Sequence, residues 1–171
     1  MDYYQGVVTE YLRADRSLFV NTEYCIQLNP SHNPDKSGPH WYCDAVAIRP
    51  GSNEIFLCEI TFSKTLHDLL KRLAGWNMYW SGVRAALLRD SNLNGEWSIQ
   101  PWVFVPGEFE EKLKQGLKDI ERKCGELHFQ PRITALEEVQ PWKYCAWDRG
   151  TKEDKKSQSD YDSELMTASA C

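Results

Sequence analysis

The chain has 171 residues, 42% of them apolar and 26% charged, which fits one globular domain with room for a sizeable core. Its net charge of −5 excludes a uniformly basic surface of the kind that binds nucleic acid everywhere, though a local basic groove is compatible with that sum. No apolar run approaches the ~18 residues of a membrane helix, and the acidic, polar start "MDYYQGVVTEYLRADR" does not read as a secretory signal, so an intracellular, cytoplasmic protein with no membrane partner is expected.

The stretch "DYYQGVVTEYLRAD" predicts an amphipathic helix, because Tyr4, Val7, Val8, Tyr11 and Leu12 recur at helical spacing. "SLFVNTEYCIQL" is rich in β-formers and alternates from Phe19 to Ile26, which predicts a strand. "NPSHNPDKSGPH" packs three prolines and a glycine into a loop. "HWYCDAVAI" and "EIFLCEITF" then flank "RPGSN", whose Pro50, Gly51, Ser52 and Asn53 are turn formers, so this segment predicts a hairpin. Both of its strands are apolar on both faces, as central strands covered by helices should be.

A helix follows, opened at Thr65, where Thr65 and Asp68 stand at capping-box spacing. Leu66, Leu69, Leu70, Leu73 and Trp76 form its stripe, and a break near Gly75 precedes its resumption through "WNMYWSGVRAALLRD". "EWSIQPWVFVP" predicts a strand, with Pro101 placing part of it at an edge or bulge. "GEFEEKLKQGLKDIERKCG" predicts a helix with acids early and bases late, closed by Gly125. "LHFQPRITAL" predicts a last strand. The fold class is therefore α/β, a mixed sheet with helices on both faces. One domain is expected over residues 1–148, and a polar, disordered tail over 149–171.

The six cysteines form no C-x-x-C pair and the four histidines do not fall at zinc spacings, so buried reduced thiols are expected. The hairpin carries the chemistry. Each of its two apolar strands contains a lone acid, Asp44 in the first and Glu59 in the second. A bare carboxylate in apolar surroundings is costly unless compensated. With the turn centred between Gly51 and Ser52, Asp44 falls directly across from Glu59, with Cβ atoms ~4.5–5.5 Å apart. Like charges so placed need a shared cation, or one must take up a proton. Two converging carboxylates suit a hard ion such as Mg²⁺. Other loop lengths would put the two acids on opposite faces. Each acid could also be a solvated strand residue. Thr61 shares the face of Glu59 by period two, and Cys43 and Cys58 should face away from the acids. Ser63 and Lys64 lie at the strand exit before a helix N-terminus, which favours an anion.

Helix, strand, and a hairpin with Asp44 in one strand and Glu59 in the next, followed by a helix, resembles the PD-(D/E)XK nuclease superfamily over roughly residues 3 to 105. The resemblance implies a restriction-endonuclease-like αβββαβ core, here with an added helix and strand. It also implies a nuclease that hydrolyses DNA phosphodiester bonds, with Asp44 and Glu59 holding Mg²⁺ or Mn²⁺. Glu10, in "GVVTEYL", is positioned like the helix-one Glu that many members add as a metal ligand. Two departures stand out. Cys43 replaces the motif Pro, and Thr61 occupies the motif Lys position, where Lys64 or Lys71 would have to substitute. Thr61 could also hydrogen-bond a water.

Lys64, Lys71 and Arg72 are the candidate nucleic-acid contacts, with solvated helix faces as the plainer reading. Trp76, Trp80, Trp97 and Trp102 could stack bases, but core packing is expected for most of them. The basic residues of the last helix are diluted by its acids, so a solvated face is expected there too. DNA is the expected partner, with RNA and a homodimer also compatible. Two other classes remain open: a catalytically inactive nuclease-like module that binds nucleic acid or protein, and a metal-free protein with an unrelated ligand pocket.

Overall fold

A computed structural model describes residues 2–29, 39–93 and 96–146. Most of the proline-rich loop and the expected polar tail lie outside the described residues. The elements run α1 (Tyr3–Ala14), β1 (Phe19–Gln27), β2 (His40–Arg49), β3 (Glu54–Ile60), α2 (His67–Met78), α3 (Trp80–Asp90), β4 (Ser98–Val105), α4 (Glu110–Cys124) and β5 (Arg132–Ala135). Among the described residues no helix is long and apolar enough to cross a membrane.

The strands form one sheet in the order β1-β2-β3-β4-β5. β1, β2 and β3 are antiparallel neighbours, whereas β3, β4 and β5 run parallel. The parallel half follows from the α2–α3 crossover, since parallel neighbours need a long connection. The expected mixed α/β fold, helices on both faces, is what the chain adopts.

Each face of the sheet buries its own core. On one side Val8 and Leu12 of α1 pack with Ala45, Ala47, Phe56, Cys58, Trp102 and Phe104. On the other, Leu69, Leu73 and Trp76 of α2, Val83 and Leu87 of α3, and Leu113 and Leu117 of α4 cover Val46, Ile55, Leu57, Val103 and Val105. β3 is buried almost end to end because it has helices above and below.

α1 begins with a capping box, in which Asp2 accepts from the Gln5 backbone and Gln5 returns the bond. α2 begins differently from the sequence expectation. Its N-cap is Leu66 with a left-handed backbone (φ 54°) and no side-chain cap. The hydroxyl of Thr65 accepts from the His67 N–H and also contacts Ser63, so the Thr65–Asp68 box does not form. The helix passes through Gly75 and breaks at Tyr79 instead. Gly75 is there for space: a Cβ at this position would lie 3.0 Å from Trp41 Nε1. Pro101 sits where β4 has β3 beside it but β5 does not yet reach, since β5 pairing starts at Trp102. It is thus locally an edge, as a proline in a strand should be. Gly125 caps α4 with φ 84°. The last strand is shorter than expected, only Arg132–Ala135.

Candidate functional site

The hairpin closes through a 3₁₀ turn at Pro50–Ser52 with Asn53 left-handed. That length sets the expected register: Arg49 pairs with Glu54, and the ladder continues to Ala45 opposite Cys58. There regular pairing stops, one step short of Asp44 and Glu59, which the same register would set opposite each other. On its other edge β2 also misses a step. The β1 ladder skips Glu23 and Asp44 and resumes in the same register beyond them. Glu23 has a left-handed backbone (φ 55°), uncommon for a non-glycine residue.

This irregularity changes which residues face which layer. Ala45 and Ala47 face α1. Cys43, which simple alternation would put with them, packs into the α2 side instead. The expectation that Cys43 faces away from the acids is therefore corrected: its thiol is raised by burial and then by the charge of Glu59. Cys58 does lie in the α1-side core.

At the fork, the Asp44 side chain takes over from the ladder. Its Oδ2 accepts from the backbone N–H of Ile60 at 2.7 Å, and its Oδ1 from Gln5 Nε2 at 2.7 Å. Burial pushes the Asp44 carboxyl above its ordinary range, while these two bonds pull it back. Glu59 is only 3% exposed. Its Oε2 accepts from Arg72 Nη1 on α2, and its Oε1 is buried without a hydrogen-bond partner. Burial pushes the Glu59 carboxyl up to about 8, and the charge of Asp44 adds to this, against the pull of Arg72. The Arg72 guanidinium loses solvent too, yet the Glu59 carboxylate holds its pKa above the ordinary value.

The compensating partners of the two acids thus come from opposite layers, Gln5 from α1 and Arg72 from α2. Arg72, expected as a nucleic-acid contact, is an ion-pair partner of Glu59. Gln5 is a residue that sequence reasoning missed. It lies one helical turn before the buried Val8 and Thr9, on the face of α1 that meets the sheet. Glu10 does not join the pair. It is exposed, and its carboxylate meets Arg13 at 3.5 Å. The reason is angular, since five residues along a helix rotate Glu10 well away from Gln5. Among the described residues no three His, Cys, Asp or Glu side chains gather as a metal-ligating group.

Thr61 lies just past β3. Its N–H donates to the Phe104 carbonyl and its Oγ1 accepts from the Ser63 N–H at 3.1 Å, so the hydroxyl serves its own turn. Lys64 is exposed, and its carbonyl accepts from Lys112 Nζ. Lys71 is exposed as well and points to a different feature. With Leu70, Ala74, Gly116, Ile120 and Lys123 it lines a groove of about 600 Å³ between α2 and α4, which neither Asp44 nor Glu59 lines. The four candidate tryptophans are core residues: Trp76 and Trp80 are buried in the α2-side core with Trp97 packed against it, and Trp102 is buried on the α1 side.

Chemically, the site offers hard oxygen donors, one of them uncommitted, next to a guanidinium. Mg²⁺ is satisfied by one or two carboxylates with water and phosphate completing its shell. The partnerless Oε1 of Glu59 is the atom such an ion would take, so the donor set fits a hard divalent cation. No protein family matches this chain, and no curated protein matches it either.

Proposed function

We propose that the chain is a metal-dependent phosphodiester hydrolase of the PD-(D/E)XK type, working in the cytoplasm on DNA or, as a second substrate, RNA, as a monomer or a homodimer. The observation that carries the reading is the buried Glu59 carboxylate, within electrostatic reach of Asp44, with one oxygen on Arg72 and the other without a partner. A buried polar atom left unpaired costs roughly 1–3 kcal/mol, and natural cores avoid it unless it serves a purpose. The order of elements, helix, three strands, two successive helices and a strand, supports the core that the resemblance implies, with its single helix split in two.

Asp44 and Glu59 would hold Mg²⁺ or Mn²⁺, which supplies an activated nucleophile and charge neutralisation at the phosphate. The two hydrogen bonds on Asp44 fix the direction in which its remaining lone pairs point. Arg72 keeps positive charge at the pair, and its remaining N–H donors suit a phosphate oxygen. It would provide the cation that Thr61 does not, and Lys64 and Lys71 are then outer backbone contacts at most.

The test combines Mn²⁺ titration with nicking assays on plasmid and oligonucleotide substrates, using wild type, Asp44→Ala and Glu59→Ala. Activity and metal binding should both disappear in the two variants. Cleavage that survives in both would end this assignment. One observation favours an inactive interaction module instead: Arg72 already neutralises Glu59, and the Thr61 hydroxyl is committed to its own turn. On that reading, wild type neither takes up Mn²⁺ at the pair nor cleaves any substrate, yet still binds a partner.

A further inference from the structure

Two groups hold Asp44, and next to each of them stands an aromatic ring. Tyr4 precedes Gln5, and Phe62 follows Ile60 by two residues. These rings lie parallel, with centroids 4.7 Å apart and planes 7° from each other. Tyr3 meets Tyr4 edge-on at 5.2 Å, which makes a three-ring cluster. Tyr4 is half-buried and packs against the α1-side core, so the cluster has a fixed base. Its outer members are open: Tyr3 is 69% exposed and Phe62 49%.

Single exposed aromatics are ordinary, but a clustered, stacked set flanking the residues that hold a half-buried acid is not. The buried tryptophans, by contrast, have no face to offer. We infer that Tyr3, Tyr4 and Phe62 form a stacking platform for unpaired nucleobases of the strand whose phosphate approaches Asp44 and Glu59. This deepens the hydrolase reading and rests on it, because it names the substrate class as single-stranded or locally unpaired nucleic acid. The chemistry is direct. Every base has a π-face, and stacking on a ring is tolerant of sequence. Bases inside a duplex are stacked on one another and cannot offer those faces. Lys64, exposed two residues past Phe62, adds a cation for the adjoining backbone.

The probes are a short single-stranded oligodeoxynucleotide, its ribonucleotide counterpart and the matching DNA duplex, each carrying 2-aminopurine. Binding is measured by anisotropy in EDTA, where nothing is cleaved. Wild type should bind one or both single strands more tightly than the duplex and quench the 2-aminopurine signal. Phe62→Ala should weaken single-strand binding about 5- to 100-fold and abolish the quenching. Tyr3→Ala should weaken it less, and Phe62→Trp should restore both signals, which separates stacking from loss of fold. Equal affinity for duplex and single strand, or unchanged quenching in Phe62→Ala, overturns the platform. Cleavage assays in Mg²⁺ with wild type and Asp44→Asn keep the two readings apart. Asp44-dependent cleavage without stacking sinks only the platform. Stacking without any cleavage supports the platform and sinks only the hydrolase.

Discussion

Glu59→Gln isolates the energetic consequence of burying an acid beside another acid. In the folded chain the Glu59 carboxyl is raised from 4.5 to about 8. At about 1.4 kcal/mol for each pKa unit, that difference is worth about 4 to 5 kcal/mol of folding stability. The sign follows from which form the fold prefers. Burial favours the protonated acid, so the stabilisation is fully present below pH 4.5 and is lost as pH rises through about 8. Asp44, also raised, acts in the same direction and stays in both proteins. Subtracting variant from wild type therefore leaves Glu59 together with its coupling to Asp44. Urea unfolding in chelator, followed by tryptophan fluorescence at several pH values from 5 to 9, gives both curves. The wild type should lose most of this stability across the range, and Glu59→Gln should lose much less. A difference curve that is flat, or that rises with pH, would refute the claim that desolvation outweighs Arg72 at this carboxyl.

Arg72→Met removes the guanidinium paired with Glu59 and should destabilise the fold across pH 5 to 9 by about 1 kcal/mol, with a further loss growing only above about pH 8, where the wild-type carboxyl ionises, read by the same unfolding assay. Combined with Glu59→Gln, that loss should shrink sharply, a coupling a double-mutant cycle will measure. Asn77 is buried, donates to the Glu126 carbonyl and accepts from the His128 N–H, so Asn77→Ala should cost about 2 kcal/mol. It should also speed hydrogen exchange between α4 and β5. Gly125→Ala forces a side chain onto a backbone at φ 84° and should cost about 1 kcal/mol in thermal denaturation, with no effect on metal uptake.

The elements governed by local chemistry were readable from the sequence. The turn formers between β2 and β3 give the expected register from Arg49 opposite Glu54 to Ala45 opposite Cys58, and Gly125 ends α4 as its position implies. What failed depended on distant contacts. Glu10 looked like a third ligand by its place in the first helix, but helical rotation brings Gln5 to the sheet instead. Gly75 looked like a helix break, yet it is the space that the Trp41 ring requires. Strict alternation misplaced Cys43, because the left-handed Glu23 on the neighbouring strand resets the faces at Asp44. Arg72 read as one more surface cation. Its role could have been suspected from the arithmetic of charge, since Glu59 needed a partner and α2 is the next element along the chain.

Gln5 spends both ends of one amide: its oxygen receives the Asp2 N–H that starts α1, and its nitrogen grips Asp44. The first turn of that helix and the aim of the acid are consequently one mechanical unit. Fraying at the amino end would loosen the carboxylate, and anything that tightens on the carboxylate would in turn quiet the amino end. A short peptide fused ahead of Met1 should therefore be felt at Asp44 on β2, although it is attached at the rim.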